Sequence, residues 1–150
     1  MSEQATERTV ISAPAALCYE VAADVESYPE WAKDVKDATV VSRDDDGRPL
    51  DVAFRTAAMG RSTSYTLRYD YSEAPGRLSW KLVQGDLTTT LDGTYRFNPA
   101  GDDESSTEVE YTLEVDLVVP LPGFVKRRAE AKILRTALPE LKARVESLPG

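Results

Sequence analysis

The sequence predicts an α+β fold, with one antiparallel sheet and a single long helix at the C-terminal end. Three observations carry this. In residues 120–150 apolar side chains recur at Phe124, Ala131, Leu134, Leu138, Leu141, Val145 and Leu148, a spacing of sevens, threes and fours that lines one face of a helix. Between residues 36 and 118 the pattern switches to alternation, most cleanly at Val109, Tyr111, Leu113, Val115 and Leu117 against Glu108, Glu110, Thr112, Glu114 and Asp116, the two-residue period of a half-buried strand. The links between these runs are short, as in an antiparallel meander. At 150 residues the chain suits one domain, 1–150.

Thr6 to Ser12 reads as a first strand. Pro14 fits the first turn of a helix capped by Ser12 or Ala13, with Leu17, Cys18, Val21 and Ala22 as its apolar face and Asp24 at its end. Tyr28-Pro29-Glu30-Trp31-Ala32 predicts a second short helix, and tandem short helices suit a prop or a lid. Strand two runs from about Val35 to Ser42 and turns at Asp44-Asp45-Asp46-Gly47, where Asp-Gly supports positive φ. Strand three covers Leu50 to Ala58, with a turn at Met59-Gly60. Strand four, Ser62 to Tyr71, sets Tyr65, Leu67, Tyr69 and Tyr71 on one face. Strand five, Arg77 to Val83, places Leu78, Trp80 and Leu82 in register. Strand six spans Leu87 to Asn98, with Leu87, Leu91, Tyr95 and Phe97 on one face. Pro99 to Ser106 is polar and predicts an exposed loop before strand seven. Pro139 interrupts the terminal helix pattern, because it lacks the N–H for the Arg135 carbonyl and its ring clashes there; a kink or break near Ala137–Leu138 is expected.

Composition narrows the function. Apolar content of 41% builds a core without disulfides, and Cys18 is the lone cysteine. The polar N-terminus lacks the apolar stretch of a signal peptide and no run approaches a bilayer span, so a soluble cytoplasmic protein is expected. The net charge of −8 opposes nucleic-acid binding, which needs basic side chains on phosphates. That charge is uneven: residues 120–150 hold 7 Lys/Arg and 3 Asp/Glu, leaving 11 and 23 for the rest, so a +4 helix rides on a −12 body. The strip is either a solvated face that pairs with the body or a contact for an anionic headgroup, a membrane surface or an RNA. Histidine is absent, which excludes Ser-His-Asp and Cys-His mechanisms and the usual His-containing zinc sites.

The side chains that could carry chemistry are mostly aromatic. Phe54, Tyr65, Tyr69, Trp80, Tyr95 and Tyr111 fall on strand positions that can share a face. They pack either as core or around a cavity, and the number of tyrosines favours a cavity, since a buried phenol needs a partner for its hydroxyl. Trp31 is either a lid at a pocket mouth or a staple holding its short helix to the sheet. Arg55 and Arg68 sit mid-strand, and Arg128 and Arg135 border the apolar helix face; turned inward, they would bind an anionic oxygen, and otherwise they face solvent. Asp44–Asp46 and Asp102–Glu104 lack calcium-loop spacing, no phosphate-binding glycine loop is present, and the sequence points to no catalytic residue, metal ligand or cofactor.

Several stretches together resemble a known family. Ser12-Ala-Pro-Ala followed by Val21 to Trp31, then Leu78-Ser-Trp-Lys-Leu-Val-Gln-Gly, Gly93-Thr-Tyr-Arg-Phe, Thr107-Glu-Val-Glu-Tyr and Pro120-Leu-Pro-Gly-Phe, resemble in order and spacing the START-like, helix-grip superfamily, and within it the polyketide cyclase/dehydrase and lipid-transport proteins, including those of the coenzyme Q-binding type. The resemblance covers nearly the whole chain. It implies a seven-stranded curved antiparallel sheet wrapped around the long C-terminal helix, two short helices between strands one and two, and a deep apolar cavity for a lipid, sterol, quinone or polyketide-like molecule. It transfers no catalytic residue. Pro139 and the strong acidity depart from the family pattern, the latter from its ribosome-associating members.

The expected function is therefore binding or transport of a hydrophobic small molecule, with no nucleic acid and at most transient membrane contact. The expected wall is Trp31, Phe54, Tyr65, Leu67, Tyr69, Trp80, Leu82, Tyr95, Tyr111, Leu113, Phe124, Ala131 and Leu138, with small Ala131 leaving room on the inner helix face. The alternatives are a cyclase, dehydratase or aromatase, marked by an inward Arg or carboxylate touching a deep tyrosine, and an interaction module using the basic helix.

Overall fold

In the computed structural model, residues 3–58, 61–101 and 103–148 are described. The chain opens with β1 (Glu3–Ile11) and continues through α1 (Ala15–Ala23), a 3-10 turn (Val25–Ser27) and α2 (Tyr28–Trp31). Six strands follow: β2 (Val35–Arg43), β3 (Pro49–Ala58), β4 (Arg61–Asp70), β5 (Arg77–Gly85), β6 (Thr88–Ala100) and β7 (Asp103–Leu117). The chain then enters α3 (Gly123–Ser147). All seven strands form one antiparallel sheet in the order β1-β7-β6-β5-β4-β3-β2.

That order explains the short helices. Strands β2 to β7 are a meander, but β1 pairs with β7 at one edge while β2 forms the other. The chain must therefore cross the sheet between β1 and β2. Helix α1 runs against β5, β6 and β7, and α2 reaches β2. Pro14 takes the N-cap of α1 and Asp24 its C-cap. Irregular registers in the β2–β3, β4–β5 and β6–β7 pairs mark bulges, which bend a strand and increase its twist, and so curl the sheet toward the helices.

Apart from Pro14, which takes the N-cap position expected of Ser12 or Ala13, the elements follow the sequence pattern with two differences. The polar segment 99–106 is not a loop: β6 extends to Ala100 and β7 begins at Asp103, and the connection turns at Gly101 with φ +62°. Helix α3 also runs unbroken through Pro139. Pro139 and Arg135 are both exposed, so the carbonyl deprived of its helical partner lies on the watered side of the helix, where it costs least. The Asp44–Gly47 turn forms as expected, with Gly47 at φ +83° and its N–H bonded to the Asp44 carbonyl. The expected turn at Met59-Gly60 lies outside the described residues.

Helix α3 packs chiefly on β1, β7 and α1. There Ile11, Cys18, Val109, Leu141 and Val145 are essentially inaccessible. Thr107, equally buried, donates its hydroxyl proton to the Ala13 carbonyl at 2.7 Å. Cys18 is a small apolar core residue, and burial pushes its thiol pKa up. Away from this end the helix stands clear of β3, β4 and β5, and the gap is the cavity.

Candidate functional site

The cavity lies between the inner sheet face and α3 and measures about 440 Å³, within the range of about 300–1,000 Å³ usual for small-molecule sites. Its floor is aromatic for a local reason. Antiparallel partners share a sheet face, and the register pairs Phe54 with Tyr65, Tyr69 with Trp80, and Tyr95 with Tyr111. Ring centroids in these three pairs are 5.6, 6.0 and 4.8 Å apart.

Gly93 lets the rings form one surface. It sits opposite Trp80 in β5–β6 and opposite Leu113 in β6–β7. A Cβ at this position would lie 2.3 Å from Trp80 Cζ2, so only glycine lets the indole lie across β6. From there Trp80 reaches Tyr95 at 5.5 Å and Tyr111 at 5.9 Å. At the far side Tyr28 stacks on Phe54 at 6.0 Å and meets Trp31 at 5.0 Å, which brings α2 into the wall.

Five of the seven tyrosines fall into two groups. Tyr28 donates to the Ala22 carbonyl and Tyr71 to the Pro49 carbonyl at 2.6 Å; these phenols fasten structure. Tyr65, Tyr95 and Tyr111 line the cavity, and among the described residues their hydroxyls make no hydrogen bond. Burial holds all three pKa values above the usual phenol range, so at neutral pH each is a protonated donor. The charged side chains of the wall, Asp34, Arg61, Lys132 and Glu140, are exposed or half-buried and belong to the mouth. Glu140 also accepts the Lys33 N–H at 2.9 Å, which ties the α2–β2 turn to α3.

Of the expected wall residues, Trp31, Phe54, Tyr65, Leu67, Tyr69, Trp80, Tyr95, Tyr111 and Leu113 line the cavity. Four stand elsewhere. Phe124 is 61% exposed, at the first turn of α3. Leu138 is buried in the core. Ala131 is half-buried and outside the wall. Leu82 packs partly buried on the core; its N–H bonds the Asp92 carboxylate at 3.0 Å, beyond the point where β5–β6 pairing ends at Trp80–Gly93.

The three helix corrections share one cause. At about 100° per residue, α3 presents three faces. Glu130, Leu134, Leu138, Leu141 and Val145 share one and are buried; this is the stripe that the sevens, threes and fours detect. The cavity face lies roughly 140° around the helix from it and carries Val125, Ala129, Ile133, Thr136, Ala137 and Glu140. Val125, Ala129, Ile133 and Ala137 recur every fourth residue, a second and smaller-residue stripe that was available in the sequence. Ala129 and Ala137, not Ala131, are the small residues on the inner face.

Arg55 and Arg68 also face outward, paired with Asp37 at 2.7 Å and Asp51 at 2.8 Å; Arg128 and Arg135 are exposed. Among the described residues no cluster of acidic, cysteine or histidine side chains could hold a metal ion, and no helix is long and apolar enough to cross a membrane.

Comparison with known proteins agrees with this geometry. A START superfamily protein from Mycobacterium smegmatis superposes with a TM-score of 0.86 at 25% identity, covering 97% of this chain and 99% of that one. The Zhui aromatase/cyclase from Streptomyces sp. R1128 superposes at 0.81 with 17% identity, covering 97% and 94%. TTHA0849 from Thermus thermophilus gives 0.80 at 24% identity, covering 95% and 97%. A search of curated proteins found no match. The sequence profile of the polyketide cyclase / dehydrase and lipid transport family matches residues 11–142. With the seven-stranded sheet, the long C-terminal helix and the cavity between them, the chain belongs to that START-like family of helix-grip proteins.

Proposed function

We propose that this chain, acting as a single cytoplasmic domain, binds and carries a small apolar ring molecule bearing oxygen acceptors, such as a quinone or a polyketide-like compound. The observation that carries the reading is the wall itself: a continuous aromatic surface holding three protonated phenols, those of Tyr65, Tyr95 and Tyr111, with no protein partner among the described residues. Aromatic rings favour a flat apolar ligand through dispersion and stacking. Phenol donors favour carbonyl or hydroxyl oxygens, because a buried donor left unmatched costs about 1–3 kcal/mol. A carboxylate or phosphate deep inside would meet no cation, since the lining cations, Arg61 and Lys132, stand at the mouth.

The cyclase or dehydratase reading requires a cation or carboxylate against a deep tyrosine to stabilise developing charge. Arg55 and Arg68 are committed to outer-surface ion pairs, and Glu140, the wall carboxylate whose charge reaches Tyr95, stands at the mouth and is engaged by the Lys33 N–H, which favours a carrier over a catalyst. The test is solvent extraction of the purified protein with mass spectrometry of what is released, repeated on Ala129→Trp. Extraction should yield an oxygen-bearing ring compound from the parent and none from a stably folded Ala129→Trp, whose indole fills the cavity. Recovery of the same compound from both proteins, or turnover of it by the parent, would refute the proposal.

A further inference from the structure

The exposed side of α3 carries an unusual combination. Phe124 is 61% exposed. Taking it as zero at about 100° per residue, Arg135 and Arg128 stand at roughly 20° and 40°, and Arg127 and Lys132 at roughly 60° and 80° to either side. All four cations are exposed. The other helix cations, Lys126, Lys142 and Arg144, pair with Asp116 and Glu130, with Glu146 and with Glu30. Among the described residues Arg127, Arg128, Lys132 and Arg135 have no such partner. The chain is strongly acidic overall, at −8, yet it leaves four cations uncompensated around its most exposed aromatic ring. The turn leading into α3 adds Val118, 55% exposed, while Val119, Leu121 and Val125 in the same segment line the cavity.

We infer that this face of α3 docks on the surface of an anionic lipid bilayer. Phe124 inserts at the headgroup–acyl boundary, and Arg127, Arg128, Lys132 and Arg135 lie against lipid phosphates. Exposed cations beside an exposed apolar ring supply the two terms of interfacial binding, attraction to anionic lipid and burial of apolar area. The acidic body, repelled by the same surface, fixes the orientation with α3 down. Because Val125 and Lys132 sit on the adjoining flank of the helix and line the cavity, the docked pose brings the mouth beside the bilayer. An acidic protein surface would satisfy the arginines but gives no role to Phe124 as a lone exposed ring, so the lipid surface is the partner the composition favours.

The test is co-sedimentation with vesicles of pure phosphatidylcholine and of phosphatidylcholine with about 30% phosphatidylglycerol, at low and at physiological salt. The full chain should bind the anionic vesicles, bind the neutral ones at least tenfold more weakly, and lose affinity as salt screens the cations. Each neutralised cation should cost roughly fivefold, so the triple variant Arg127→Gln, Arg128→Gln, Arg135→Gln should bind on the order of 100-fold more weakly. Phe124→Ser should lower binding about tenfold or more through lost apolar burial. All these positions are exposed, and an unchanged melting temperature and unchanged binding of an apolar dye in the cavity separate lost docking from lost folding or an altered ligand site. Absence of binding to anionic vesicles overturns the inference. So does vesicle binding indifferent to Phe124→Ser and the triple variant. Binding to a polyanion such as heparin that exceeds vesicle binding and is unaffected by Phe124→Ser would likewise overturn it, by assigning the face to an acidic macromolecule.

Discussion

The two sides of helix α3 meet the same sheet in opposite ways. Toward β1, β7 and α1 the contact is aliphatic and closed: Ile11, Val109, Leu141 and Val145 are 0–1% exposed, and the buried hydroxyl of Thr107 is satisfied by the Ala13 carbonyl. Across the rest of the inner face, from β3 to the Tyr95–Tyr111 pair of β6 and β7, the sheet offers rings, the helix answers with Ala129, Ile133, Thr136 and Ala137, and three phenols have no protein partner among the described residues. Close packing stabilises a fold by contact and burial. Space lined by unmatched donors does not, and is useful only to a guest. Stability and binding are therefore separated laterally on one sheet, and substitutions on the two sides should have different signatures.

The largest difference should come from truncating one helix residue on each side. Leu141→Ala empties a closed contact and should cost about 3 kcal/mol or more, seen as a lower denaturant midpoint with an unchanged slope. Ile133→Ala, on the cavity wall and already half-exposed, should cost less than half of that and should enlarge the site. Equal losses would mean the two sides are energetically alike, and the separation would fail.

An intermediate effect is expected where the two sides join. Gly93→Ala sets a Cβ 2.3 Å from Trp80 Cζ2 and 3.0 Å from Leu113 Cδ1, so the indole must swing off β6. Overpacking of this kind costs about 1–3 kcal/mol. Here it should also shift the Trp80 emission and weaken ligand binding, because the ring contacts of Trp80 with Tyr95 and Tyr111 cannot survive the swing. Emission and affinity that stay unchanged in Gly93→Ala would show that the indole is not part of the binding surface.

How far this division could be read from the sequence follows from the same physics. Strand alternation grouped the residues that share a face, the family resemblance indicated which face is concave, and eight of the expected strand residues, among them Phe54, Trp80 and Tyr111, line the cavity together with Trp31 of α2. Helical periodicity misled because it reports burial, not what lies opposite. Leu134, Leu138 and Leu141 form the strongest stripe, and that stripe packs on the closed side. The cavity side of a helix is by nature the weaker stripe, built of small and polar residues such as Ala129 and Thr136, since large ones would fill the space. Gly93 was unreadable for another reason: its role depends on Trp80 lying across from it in a neighbouring strand, a relation of register that single-strand patterns do not contain.

The smallest effect is the sharpest test of the two tyrosine groups. Tyr28→Phe and Tyr71→Phe each remove a donor from a backbone carbonyl, those of Ala22 and Pro49, and each should cost about 0.5–1.5 kcal/mol. Tyr95→Phe and Tyr111→Phe remove hydroxyls with no protein partner among the described residues. They should leave stability within about 0.5 kcal/mol of the parent. Affinity should move the opposite way. Phenols that bond the ligand's oxygens lose about tenfold in binding when converted to phenylalanine, whereas Tyr71→Phe, whose hydroxyl is turned to Pro49, leaves it unchanged. If Tyr95→Phe destabilises the unliganded protein as much as Tyr28→Phe does, its hydroxyl fastens structure after all, and the chemical half of the comparison falls while the packing half stands.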